Sequence, residues 1–165
     1  MMFRSFVVVL VLAVTCGFAN ATPISVGQGV NSANVYIEWA GGNIAEFVVN
    51  FGQSPTDTVK GIQLLNTIEQ STTLITVQYS GGFLDGITFN GNSNIGYGGG
   101  ENWWHYWVND GQGWDCPWTY GAGAREVGNG DSDGWIYGRD GAPVPEPLSV
   151  ALLGLGSMFV AVRRK

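Results

Sequence analysis

SPTDTVKGIQLLNTIEQST, residues 54–72, is the stretch on which the fold turns. Ser54 is placed to cap a helix, Pro55 to take its first position, and Asp57 to sit in the first turn, where the helix dipole favours a carboxylate. Val59, Ile62, Leu65 and Ile68 then recur every three residues, with Leu64 and Asn66 beside them. That spacing predicts one amphipathic helix. Upstream, VYIEW (35–39) and IAEFVVNF (44–51) flank the turn signal Gly41-Gly42-Asn43, which reads as a β-hairpin. Downstream come TLITVQYS (73–80), FLDGITFN (83–90), NWWHYWVND (102–110) and DGWIYG (133–138), separated by Gly- and Asn-rich turns. The order is strand, strand, helix, then several strands. One helix covering one face of a mixed sheet is an α+β solution.

The two ends of the chain are for addressing. Arg4, the apolar run Phe6 to Val14 and the small-x-small site Ala19-Asn20-Ala21 read as a signal peptide over residues 1–21, with the mature chain starting at Thr22. The alternative is a lipoprotein acylated at Cys16, against which Ala13-Val14-Thr15 is a poor match. Between the ends lies one domain, residues 22–143. All 13 acidic residues fall between Glu38 and Glu146, where only Lys60, Arg125 and Arg139 offset them, leaving −10. Nucleic acid is excluded as a partner, because its affinity comes from Lys and Arg neutralising phosphates. Cys116 remains alone once Cys16 is removed, so no intramolecular disulfide forms; its aromatic neighbours favour burial over an intermolecular bond.

At the other end, an apolar stretch of 15 residues, Leu148 to Val162, is closed by Arg163, Arg164 and Lys165. A helix rises about 1.5 Å per residue and a normal span takes about 20 residues, so this one crosses only with its Pro147 side in the headgroups and its basic end in the cytoplasm. Val144-Pro145-Glu146-Pro147, the Gly-rich apolar helix over 148–162 and the terminal Arg163-Arg164-Lys165 together resemble the PEP-CTERM sorting signal of Gram-negative bacteria that make extracellular polysaccharide. The resemblance covers residues 144–165. With the signal peptide implying export and cleavage by signal peptidase, this resemblance implies transient residence in the inner membrane, cleavage near Pro145-Glu146-Pro147 by an exosortase, and a cell-surface or extracellular destination.

The middle of the chain carries a second resemblance. TVKGIQLLNTIE, ITVQYSGGFLDGITFNG, WWHYWVND, Gly121-Ala122-Gly123-Ala124 and GNGDSDGWIYG follow one another as in the C-terminal domain of transcobalamin and its bacterial relatives, over about residues 33–138. That resemblance implies a β-grasp fold and a surface protein binding a soluble ligand, which for the vertebrate members is cobalamin. The chain departs from the pattern at Asn109-Asp110-Gly111 and at Trp114-Asp115-Cys116-Pro117-Trp118, which looks like an insertion. No cobalamin-contacting residue carries over.

ENWWHYWVNDGQGWDCPW (101–118) holds five of the seven tryptophans. On a strand, alternate side chains face opposite sides, so Trp104, Tyr106 and Val108 are expected in the core and Trp103, His105 and Trp107 on the other face. That second face has two readings: a binding surface completed by Trp114 and Trp118, for a planar cofactor or a sugar ring, or a small core that Trp114 or Trp118 caps. The first makes Trp103, His105, Trp107, Trp114 and Trp118 the candidate ligand site. A third reading of the chain is a structural surface protein without a ligand. Asn129, Asp131, Asp133 and Asp140 have the spacing of a calcium loop, but Trp135-Ile136-Tyr137 reads as a strand where an EF-hand needs a helix. A lone histidine and no G-x-S-x-G elbow give catalysis no foothold, and Glu38, Glu46, Asp131 and Asp133 read as solvated charges. The protein is therefore read as non-enzymatic, with no resident metal.

Overall fold

The hairpin forms where alternation and the glycine turn place it. In the computed structural model, which describes residues 22–80, 83–96 and 98–143, β2 (Asn31–Glu38) pairs antiparallel with β3 (Ile44–Phe51). Trp39 N–H donates to Asn43 O and Gly42 N–H to Trp39 O, both at 3.0 Å. Gly41 and Gly42 close the turn at φ of 94° and 82°, a backbone conformation that residues with a Cβ rarely adopt. Alternation then sends Ala33, Val35 and Ile37 of β2, and Ala45, Phe47, Val49 and Phe51 of β3, to one buried face. The expected signal peptide (1–21) and the sorting segment 144–165, with the helix expected over 148–162, lie outside the described residues, as do Gly81, Gly82 and Tyr97.

The strand β1 (Ile24–Gly27) runs parallel to β3. The last strand, β10 (Ser132–Tyr137), inserts parallel to β2, and β8 (Trp104–Asn109) pairs antiparallel with β10. The resulting five-stranded mixed sheet has the order β1-β3-β2-β10-β8. Against its inner face lies the helix α1 (Gly61–Ser71), which buries Leu64, Leu65 and Ile68. Each of these three side chains contributes about 1.5–3 kcal/mol by leaving water. The chain is thus α+β, mostly sheet with one short helix.

The helix begins later than its sequence suggests. Ser54 to Asp57 form a turn: Asp57 N–H donates to Ser54 O at 3.0 Å, and Asp57 Oδ2 accepts from Gln53 and Ser54 N–H at 2.7 and 2.9 Å. Those two backbone donors hold the Asp57 carboxyl below its ordinary range. Asn31 Nδ2 clamps the turn by donating to Ser54 O and Asp57 O. Val59–Lys60 is then a short strand, β4, paired with β9 (Glu126–Val127). Only after it does Lys60 N–H find Gln63 Oε1 at 2.8 Å and start the helix. Asp57 satisfies backbone donors upstream of itself, which leaves Ser54 no helix to cap.

The remaining strands do not join the main sheet, as a single mixed sheet would require. β5 (Ile75–Ser80), β6 (Phe83–Phe89) and β7 (Asn92–Ile95) form a separate three-stranded antiparallel sheet. Its Ile75, Val77 and Ile87 complete the core. Trp39 ties the two sheets together: its Nε1–H donates to Ile87 O at 2.9 Å and its ring stacks on Phe89 at 5.7 Å. Alternation records a buried face, not which strand lies alongside.

Candidate functional site

The edge strand β8 and its neighbour β10 bring the aromatics together. In the β8–β10 register Tyr137 lies opposite Trp104, Trp135 opposite Tyr106, and Asp133 opposite Val108. Trp104 and Tyr137 meet edge-on at 5.4 Å, and Tyr106 and Trp135 lie 5.0 Å apart. Trp104, Trp135 and Tyr137 belong to the core, with Tyr106 packed against it. Val108 is buried as expected, but apart from that cluster.

Beyond the β8 edge the chain leaves a cleft of about 860 Å³. Trp104, Tyr106 and Trp135 line it, with the 116–124 loop, Ile62 of α1, and Phe83, Leu84 and Asp85 of β6. The loop is anchored at both ends. Val108 and Asp115 exchange backbone bonds at 2.9 Å, and Ile62 N–H donates to Ala122 O at 3.0 Å. Between the anchors, Trp118 remains 72% exposed, and across the cleft Phe83 is 79% exposed. Neither side chain is packed into the core.

Beneath the cleft lies a buried polar cluster. Tyr106 Oη donates to Asp133 Oδ2 at 2.5 Å, and Arg125 Nη2 pairs with Asp131 Oδ2 at 3.0 Å. Asp133 is fully buried, and that burial pushes its carboxyl up to about 6 although Tyr106 and Arg125 pull it down. Burial first, and then the Asp133 charge, push the Tyr106 phenol far above its ordinary value, so it stays a neutral donor. Gly61 makes room for this pair. A Cβ there would lie 2.6 Å from Asp133 Oδ2 and closer still to Tyr106 Oη. Asp133 Oδ1 and Arg125 Nε, 3.8 Å apart, are both buried without a hydrogen bond. The cluster fixes the Tyr106 ring beneath the cleft, and Arg125 links it to the strand that follows the loop.

The five residues expected as one site divide between two faces. Trp103 and Trp118 line the cleft. Trp114 takes the opposite face, edge-on to Tyr36 at 5.7 Å and against Gly134, where a Cβ would crowd Pro143 at 2.5 Å. There Trp114 packs on Tyr36 and over Gly134. His105 is 1% exposed, stacked under Trp103 at 3.8 Å, with Nε2 3.3 Å from Glu101 O and Nδ1 without a partner. Trp107 Nε1 is likewise buried without a partner. Cys116 is half-buried rather than enclosed; burial, then Asp140 and Asp115, push its thiol up.

Residues expected only in the core, Trp104 and Tyr106, prove to line the cleft, and Phe83, Tyr120 and Trp135 join them. The one local hint was Phe83, an aromatic directly after Gly81-Gly82.

The calcium-spaced residues point to other partners. Asn129 Oδ1 accepts from Ser32 N–H at 2.9 Å, Asp131 takes Arg125 and Gly128 N–H, Asp133 takes Tyr106, and Asp140 is exposed. Among the described residues no three His, Cys, Asp or Glu side chains gather as ligands. Glu38, read as solvated, is 6% exposed and held by Arg139 through two bonds of 2.8 and 2.6 Å.

Residues 143–165 match the family model of the PEP-CTERM protein-sorting motif. The motif supports processing of the chain by an exosortase and implies export to the cell surface or the extracellular space. No curated protein and no solved structure matches the chain at a significant level.

Proposed function

We propose that this exosortase substrate is a non-enzymatic surface or extracellular-matrix protein of a Gram-negative bacterium, whose domain, residues 22–143, binds a soluble ligand in the aromatic cleft. The observation that carries the reading is Trp118, 72% exposed over a cleft of about 860 Å³. Such volumes are typical of small-molecule sites, and a bare indole gains from being covered. The sheet supports a β-grasp: a hairpin, a helix, and a last strand set parallel to the first strand of the hairpin, in the order β3-β2-β10-β8. This is the fold that the transcobalamin resemblance implies, and cobalamin is the ligand it suggests. A second reading, a neutral polysaccharide, is favoured by the cleft being open and by Trp118 and Phe83 both facing solvent, where indole and phenyl faces suit sugar rings.

The test is titration of the processed protein with cobalamins and with neutral extracellular polysaccharides, followed by tryptophan fluorescence with absorbance controls. A saturable change that Trp118→Ala removes without altering thermal unfolding is expected. No saturable change across both classes, with Trp118 still open to iodide quenching, refutes ligand binding and leaves a structural surface protein.

A further inference from the structure

We infer that the cleft selects a flat, positively charged ring and turns anionic ligands away; this rests on the cleft being the binding site. The chemistry follows from what the walls present and what they lack. Trp103, Trp118, Tyr120 and Phe83 are among the lining residues of the cleft, and the negative quadrupole of an aromatic face attracts a cation. Asp85 is the one charged side chain among the described residues of the lining, and it is partly exposed. Its carboxylate makes no hydrogen bond or ion pair among the described residues, whereas its backbone oxygen accepts from Gly96 N–H at 2.7 Å.

The cations of residues 22–143 are engaged elsewhere. Lys60 pairs with Glu126, Arg125 with Asp131 and Asp133, and Arg139 with Glu38. An anion entering the cleft meets no compensating charge and a protein field that is negative overall. Nor do the titratable groups of the lining alter this: the Tyr106 phenol and the Cys116 thiol are both pushed up and remain uncharged at neutral pH. A flat cationic ring can cover the exposed Trp118 and Phe83 while sharing the cleft with the Asp85 charge. A bulky anionic polymer has neither the shape nor the charge for the site.

Three probes of one size separate the possibilities: 1-methylquinolinium, quinoline and quinoline-2-carboxylate, each titrated calorimetrically into the exported, processed protein at low salt. The expected order is cation, then neutral ring, then anion, with the cation about tenfold tighter than quinoline. Asp85→Asn is expected to reduce that preference several-fold, with the cation losing far more affinity than quinoline, and raised salt to weaken the cation alone. Saturable binding with no charge order, or with the carboxylate tightest, overturns the inference and leaves the binding reading intact. No saturable binding by any probe, together with no response to cobalamins or neutral polysaccharides, overturns both.

Discussion

Replacing Gly61 with alanine sets local propensity against tertiary structure. Alanine is favoured over glycine in a helix by about 1 kcal/mol, so propensity alone predicts a stabler protein. The packing predicts the reverse. The new methyl would lie 2.6 Å from Asp133 Oδ2 and 3.2 Å from Ala122 O, and nearer still to Tyr106 Oη. None of these groups retreats easily. The Tyr106 ring is packed on Trp135, Asp133 is enclosed, and Ala122 O already accepts from Ile62 N–H. Overpacking of this kind costs about 1–3 kcal/mol, and displacing a hydrogen bond to a charged group about 1.5–3 kcal/mol more. After the gain in propensity, a net loss of about 1.5–5 kcal/mol remains. For a domain of this size that lowers Tm by roughly 5–20 °C. Urea and thermal unfolding followed by tryptophan fluorescence measure it. Tyr106→Phe in the same background removes the nearest atom, so the double variant should lose less than the two single losses together. A Gly61→Ala protein as stable as the parent, or stabler, refutes the crowded Tyr106–Asp133 pair.

Two further outcomes follow from the same interior. Asp133 is raised to about 6 from 3.8, so between these values the folded protein keeps a proton that the unfolded chain has released. The contribution of this group to stability therefore falls as pH rises through that window and is constant above it, a change on the order of 3 kcal/mol. Asp133→Asn should flatten that part of the pH profile of urea unfolding; an unchanged slope argues against an enclosed, strained carboxylate. Trp39→Phe strips the donor from Ile87 O and leaves a gap between the two sheets, at a cost of about 2–4 kcal/mol. A loss below about 0.5 kcal/mol would show that Trp39 does not tie the sheets together.

Much of the chain was legible without coordinates, and what was legible was local. Alternation through Val35–Trp39 and Ile44–Phe51, with glycines between, specifies a hairpin because pleat and turn are set within a few residues. The buried row Leu65 and Ile68 follows from helical periodicity in the same way. The tail was readable because Val144-Pro145-Glu146-Pro147 and the terminal basic residues form a contiguous motif, matched over residues 143–165.

The tertiary structure decided whatever depended on partners far along the chain. The helix loses its expected first turn because Val59 and Lys60 pair with Val127 and Glu126, and nothing near Ser54 announces those strands. The expected mixed sheet splits in two because β5 and β6 pair with each other and not with β8. The aromatic stretch divides because Asp115 bridges to Val108, after which Trp114 packs on one face and Trp118 opens on the other. Composition predicts that tryptophans will gather. Which of them stays uncovered is set by long-range backbone pairing, which side-chain periodicity does not encode.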